Sequence, residues 1–302
     1  MKTPCSIEKG GILLIKKPIG CTSHDVVNKI RGLFGTKKVG HTGTLDPLAT
    51  GLLVVLVGRS VKASEYLLAG EKTYVAGIKF GITTDSQDIT GQILTSCDEM
   101  PSKDEFFDAV NAFVGSIKQI PPMFSALKVG GKKLCDLARE GVTLELEPRD
   151  IEIKHIKIRN FSENEASFEV RCSHGTYIRT LCHDIGQKLG CGAVMSSLER
   201  ICVDRFSLDD AFSLEELENM EQNERLCCLL PIESAFSELP RVNLPSFYAK
   251  LFQNGNEIYQ KKIGTDFKVG QRLRVYVDGE FYALAEIREF EQGSAVYGIK
   301  RF

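Results

Sequence analysis

No two of the ten cysteines stand in C-x-x-C spacing, and no Cys/His run matches a zinc site. At 302 residues a disulfide-stapled secreted scaffold is not expected, and the scatter fits free thiols in a reducing cytoplasm. Long hydrophobic runs are missing too. The first twenty residues hold only the apolar stretch 12–15, followed at once by Lys16 and Lys17. A signal peptide needs roughly 7–15 apolar residues behind a basic start. The longest later run, 52–57, falls far short of the roughly 20 residues that span a bilayer. A soluble cytoplasmic protein with no membrane association is therefore expected. The signatures G-x-x-x-x-G-K-[ST] and G-x-G-x-x-G of nucleotide binding are absent, as is the G-x-S-x-G elbow of a hydrolase. Gly190-Cys191-Gly192 lacks the third glycine and follows a helical pattern, so it reads as a helix stop. Internal repeats and low-complexity tracts are absent. Excess charge of either sign is lacking as well. Lys+Arg number 38 against 40 Asp+Glu, so the total announces no polyanionic partner.

What is present is an ordinary globular composition, 43% hydrophobic and 26% charged, with length for one large domain or two unequal ones. The charge is unevenly placed. Residues 16–62 carry eight Lys/Arg and two Asp/Glu, whereas 209–240 carry nine Asp/Glu and one Arg. Residues 12–15, 52–57, 74–80, 151–158 and 167–172 read as strands. Val26, Val27, Ile30 and Phe34 have helical spacing behind the caps Thr22 and Ser23. Residues 61–69 read as a helix ended by Gly70. Ser102 with Glu105 and Ser213 with Glu216 form capping boxes, and Ile178, Leu181, Cys182, Ile185 and Leu189 form a helix face stopped by Gly190. Strands and helices alternate without the rhythm of parallel βαβ units. The expected class is α+β, a mixed, largely antiparallel central sheet with flanking helices. The acidic stretch 209–240 reads as the approach to a domain boundary. Beyond Pro240 come a short helix from Ser246, the Asp278-Gly279 turn between alternating runs, and a strand at 295–300, as in a small β-barrel module.

The most shaped segment is 40–51, Gly-His-Thr-Gly-Thr-Leu-Asp-Pro-Leu-Ala-Thr-Gly, a tight loop that feeds directly into the apolar run 52–57. Pro47 biases Asp46 towards an extended backbone, at the mouth of a buried strand. On local pattern Asp46 fits a turn-former as well as a preorganised carboxylate. The loop holds no second carboxylate for glycosidase-like pairing and no metal-ligand cluster. A lone carboxylate in a basic neighbourhood suits a nucleophile kept ionised by a nearby cation. Three further segments stand out: Lys72-Thr73-Tyr74 at a strand start, Thr84-Asp85-Ser86-Gln87-Asp88 at the following turn, and Gly175-Thr176-Tyr177-Ile178-Arg179. Arg179 falls in a first helical turn, where the helix dipole disfavours a cation; that conflict points to an anionic partner.

Taken together, these segments and the 120–134 stretch Ile-Pro-Pro-Met-Phe-Ser-Ala-Leu-Lys-Val-Gly-Gly-Lys-Lys-Leu resemble the bacterial TruB family of tRNA pseudouridine synthases. The resemblance runs from about Gly11 to Arg200 without a large gap, and departs only at Thr44 and His174, where the family varies. It implies a catalytic domain over 1–238 with an RNA-gripping insertion at about 119–150. A PUA-like RNA-binding domain would follow over 239–302. It implies isomerisation of uridine 55 in the tRNA T-loop to pseudouridine, with no cofactor and no metal. Asp46 would be the catalytic carboxylate, Arg179 its partner, and Tyr74 the ring that stacks on the extruded uracil. Tyr177 would be a second active-site tyrosine, His41 would help hold the opened T-loop, Leu198 would line the pocket and Asp88 its polar network. The implied partner is tRNA, bound by a monomer with no protein partner. One alternative is a non-catalytic RNA-binding or tRNA-folding protein on the same scaffold, against which Asp46, Tyr74 and Arg179 together argue; another is a metal-free hydrolase or transferase using Asp46 on a small phosphorylated substrate, which leaves the PUA-like tail and the basic 119–139 stretch unexplained.

Overall fold

A computed structural model describes residues 9–125, 127–142 and 144–302. Ala126 of the 120–134 motif, Thr143 of the expected insertion, and the N-terminal eight residues with Cys5 lie outside the described residues. The chain starts with β1 (Gly11–Lys17), α1 (Ser23–Phe34), a short β2 (Val39–His41) and β3 (Thr50–Val57). A 3-10 turn and a one-turn helix α2 (Ser64–Leu67) lead into β4 (Lys72–Phe80). Next come the hairpin of β5 (Ile82–Thr84) and β6 (Ile93–Ser96), then α3 (Lys103–Asn111) and β7 (Gly115–Gln119). Residues 120–148 contribute β8 (Lys128–Val129), β9 (Lys132–Lys133) and α4 (Leu134–Arg139). Then follow β10 (Arg149–Phe161), β11 (Glu165–Cys172), α5 (Ile178–Leu189), β12 (Ala193–Val203) and β13 (Phe206–Ser207).

Seven of these strands form the spine of the main sheet, in the order β1-β3-β12-β4-β11-β10-β7, with β2 added to β3 and β13 to β12. Every pairing is antiparallel except β12 with β3, so the sheet is mixed and largely antiparallel as expected. Alternation sorts its residues. Leu13, Ile15, Leu53, Val55 and Val57 face α1, which buries Val26, Val27, Ile30 and Phe34 against them. The intervening Ile12, Leu14, Leu52, Val54 and Leu56 face a second core. On the other half of the sheet, Tyr74, Ala76, Ile78 and Phe80 of β4 pack under α5 and α3.

Local signals set the helix ends. Thr22 caps α1, with Asp25 completing a capping box, and Ser102 and Ser213 do the same with Glu105 and Glu216. Gly190 ends α5 in the left-handed conformation at φ 81°. Residues 61–69 differ from expectation: a 3-10 turn over Gly58–Ala63 precedes the single turn of α2, and no side chain caps either start. Strand β12, at the centre of the sheet, has no counterpart in the sequence reading.

The acidic stretch carries α6 (Leu214–Asn219) and α7 (Gln222–Cys227). It is not a free linker. Leu217 and Leu229 are buried against β1, β3 and α1, and Leu230 and Phe212 bond to the backbone of β1. The tail holds β14 (Arg241–Asn243), α8 (Ser246–Gln253), β15 (Ile258–Tyr259) and α9 (Gln260–Ile263). It ends in β16 (Arg272–Val277), β17 (Glu280–Phe290) and β18 (Gly293–Arg301). These five strands, ordered β14-β16-β17-β18-β15, curl into a half-barrel. Asp278 and Gly279, both at positive φ, make its tight hairpin turn. Among the described residues no helix is long and apolar enough to cross a membrane.

Candidate active site

The loop between β2 and β3 is held from three directions. Ser23 Oγ donates to Leu45 O (3.1 Å) and accepts from Leu45 N–H (2.8 Å). Lys17, 1% exposed, donates to Ala49 O at 2.7 Å. From the central strand, Arg200 donates through Nε to Leu52 O (2.7 Å) and through Nη2 to Gly43 O (3.1 Å). Within the loop, Ala49 N–H closes a turn on Asp46 O at 3.0 Å. These bonds fix the backbone that presents the Asp46 side chain, which remains 36% exposed.

Arg179 lies opposite, only 6% exposed at its side chain, with Nε 2.9 Å from Asp46 Oδ2. Its other nitrogens donate to Ser86 O (3.0 Å) and Phe124 O (2.7 Å), and Asp88 Oδ2 stands 3.8 Å away. The anionic partner that a cation in the first turn of α5 demands is thus supplied by Asp46, seconded by two carbonyls. Asp88 is itself turned inward, accepting from Ser86 Oγ (2.8 Å), Thr90 N–H (2.9 Å) and Thr90 Oγ1 (2.5 Å). Burial pushes the Asp46 carboxyl above its ordinary value, Arg179 opposes that, and Asp88 adds to it.

Tyr74 of β4 is 8% exposed, and burial raises its phenol pKa. Leu198 of β12 packs in the same cluster as Tyr74 and Leu45. Tyr177, the residue that precedes α5, is half-buried, and burial raises its phenol too. His41 sits at the far end of the loop, its Nδ1 accepting from Gly43 N–H at 3.3 Å; burial, then Arg200, keep its pKa low. The structure therefore gathers Asp46, Arg179 and Asp88 into one polar cluster beside Tyr74, Tyr177 and Leu198, and leaves His41 outside it. Sequence reasoning missed Lys17, Arg200 and Gln119, the last of which bonds through its side-chain amide to both backbone groups of Tyr177. A buried lysine ending an apolar strand was the one local signal available; Arg200 and Gln119 gave none. Among the described residues no His, Cys, Asp and Glu side chains group as metal ligands.

Residues 31–178 match the N-terminal domain of the TruB family of pseudouridylate synthases, and 179–237 match the tRNA pseudouridylate synthase B C-terminal domain. The chain belongs to the TruB family. Its class is accordingly that of the pseudouridine synthases, which are isomerases. Among curated relatives, tRNA pseudouridine synthase B of Alkaliphilus oremlandii is 44% identical over 96% of this chain and 97% of its own length. The protein of the same name from Dechloromonas aromatica is 42% identical over 91% of each chain. A chain in a crystal structure of a Cbf5-Nop10-Gar1 complex superposes with a TM-score of 0.74 at 26% identity, covering 98% of this TruB-family chain and 85% of that one.

Proposed function

We propose that this TruB-family chain isomerises uridine 55 in the T-loop of tRNA to pseudouridine, with Asp46 as the reacting carboxylate. The observation that carries the reading is the ion pair of Asp46 with Arg179, one partner buried and the other open to an incoming base. In the reaction the N1–C1′ bond of the uridine breaks and a C5–C1′ bond forms. The C5 proton is lost and N1 gains one, so the product is an isomer and neither an oxidant nor a cofactor is required. Asp46 serves as nucleophile towards base or sugar, or as a base at the sugar, and Arg179 holds it ionised and oriented. The target nucleotide is stacked in a folded loop and must be extruded, and Tyr74 offers the aromatic face that receives it. Tyr177, Leu198 and Asp88 complete the pocket, and His41 bears on the opened loop. The protein acts on tRNA as a monomer in the cytoplasm. Its catalytic domain spans 1–238, with an RNA-gripping insertion at about 119–150, and a PUA-like RNA-binding domain spans 239–302.

The test is Asp46→Asn, measured in pairs. Pseudouridine formation on an unmodified tRNA transcript under single-turnover conditions should be abolished. Affinity for tRNA at one fixed salt concentration should be retained, because asparagine keeps the loop shape and removes a negative charge from a phosphate-binding groove. Substantial turnover by a folded Asn variant would remove Asp46 from the chemistry and leave it a turn-former.

A further inference from the structure

Gln119 is 2% exposed at the last position of β7, where the chain leaves the sheet for the insertion; its strand partner Arg149 is where the chain returns. The Gln119 amide grips the backbone of Tyr177 from both sides. Nε2 donates to Tyr177 O at 3.0 Å, and Oε1 accepts from Tyr177 N–H at 2.8 Å. Tyr177 immediately precedes α5, and no side-chain bond caps that helix, so this outside amide supports a start that would otherwise lack it. The insertion then reaches the same helix a second time, where Phe124 O accepts from Arg179 Nη2 at 2.7 Å. The next residue, Ser125, is tied through its carbonyl to the N–H of Cys135 in α4. Residues 119–150 therefore meet the start of α5 at two points, Gln119 on the Tyr177 backbone and Phe124 on the guanidinium that faces Asp46, and Ser125 ties the second point to α4.

We propose that Gln119 is a positioning residue that couples the seating of the insertion to the setting of Arg179 against Asp46. The inference rests on Asp46 as the reacting carboxylate. Without the amide, Tyr177 N–H loses its partner, Tyr177 O keeps only the helical bond from Leu181 N–H, and the start of α5 is no longer anchored to β7. The Arg179 side chain then springs from a looser origin, although every group it touches is still in place. Asp46 faces Arg179 from α5, Asp88 from the β5–β6 turn, Lys17 from β1 and the phenols of Tyr74 and Tyr177. With Arg179 less well set, burial and the Asp88 charge gain weight, and the carboxylate takes up a proton at higher pH.

The experiment compares wild type with Gln119→Met, which keeps the volume and removes both bonds. Gln119→Asn serves as a second variant; it keeps an amide one methylene too short to reach both groups. Single-turnover pseudouridine formation is followed across pH, with tRNA affinity at one fixed salt concentration and circular dichroism for folding. The Met variant should lose about ten- to a hundredfold in rate, the scale of a small misplacement of a reacting group. Affinity should stay within about threefold, since phosphate contacts are untouched. The acid limb of the rate profile should move to higher pH. Asn should show the same pattern to a lesser degree, and it decides the question by the same criteria if Met does not fold. Folded variants with wild-type rates, or rate and affinity falling in equal proportion with an unmoved acid limb, would overturn the coupling. A wild-type chain that forms no pseudouridine would instead overturn the function on which the coupling rests.

Discussion

Arg179 shows how a residue in local conflict finds its resolution at a distance. A cation in the first turn of a helix opposes the dipole, and the structure answers with the Asp46 carboxylate and two carbonyl oxygens from separate segments. The conflict is visible in sequence and names an anion as the missing partner, but not which anion. Gln119 is the reverse case: a glutamine near the end of a strand raises no local question, and its two bonds exist only because Tyr177 is brought beside it. Further along α5, Asp184 keeps its conflict. No hydrogen bond or ion pair reaches its side chain among the described residues, and burial pushes its carboxyl from 3.8 up to about 6. Because the folded pKa lies above the unfolded one, the native state binds more protons across that interval. Stability should therefore fall as pH rises from about 4 to about 6, with the penalty complete above it. Asp184→Asn should raise the stability at pH 7.5 by about 1–2 kcal/mol, solvent screening of a partly exposed group included, and the gain should vanish near pH 4. Thermal unfolding at the two pH values checks this; an Asn variant no more stable at pH 7.5 would contradict it.

At the scale of elements, ends were easier to read than middles. The capping boxes at Ser102 and Ser213 and the glycine stop of α5 depend on residues within one turn of each other, and all three are present. Strand β12 could not be read this way. Its pairing with β4 is interrupted by register shifts between Met195 and Ser197 and between Arg200 and Cys202, so the two-residue alternation that marks a strand is broken twice. Yet β12 places Arg200 against the loop of Asp46, and it sets the requirement at Gly51. That glycine has φ +97°, and a Cβ there would stand 2.4 Å from Arg200 O and 2.7 Å from Arg200 N. Both atoms belong to the backbone of a central strand and cannot swing aside. Gly51→Ala should cost about 2–4 kcal/mol from overpacking together with backbone strain. It should also slow pseudouridine formation, because the loop that carries Asp46 ends at this residue. A lowered thermal midpoint with a lowered single-turnover rate is the expected outcome; a variant as stable as wild type would show that the β3–β12 contact can relax.

The whole molecule is less divided than its charge pattern suggests. Leu67, Phe236 and Leu284 are buried in one cluster with Ile12, Leu14 and Leu52, and Phe281, Ile299 and Phe302 pack against it. The C-terminal half-barrel thus completes a core that begins in the main sheet, and the ion pairs Lys9–Glu280 and Lys300–Glu65 cross the same junction. Deletion after Pro240 would uncover the Phe236 and Leu67 side of that core. The truncated protein should unfold at a lower temperature and tend to associate. It should also bind tRNA more weakly while retaining some turnover. Unfolding curves, light scattering and tRNA titration at one salt concentration test the three parts. An undiminished affinity in a folded truncation would show that the half-barrel makes no RNA contact.

By itself the sequence determined what depends on neighbours along the chain: the strand runs at β1, β3 and β4, the caps and stops of the helices, the tightness of the 40–51 loop and the turn at Asp278 and Gly279. Its motifs also carried the family, because Asp46, Tyr74 and Arg179 lie in segments whose order is characteristic. Only the tertiary structure decided which strand stands at the centre of the sheet, that the acidic stretch packs back on β1, and that Lys17 and Arg200 hold the backbone around the 40–51 loop while Gln119 holds that of Tyr177. The reason is physical. Periodicity and capping are written in spacings of two to four residues, whereas a buried cation or amide is specified by carbonyls and amides from remote segments, which carry no side-chain signature in the sequence.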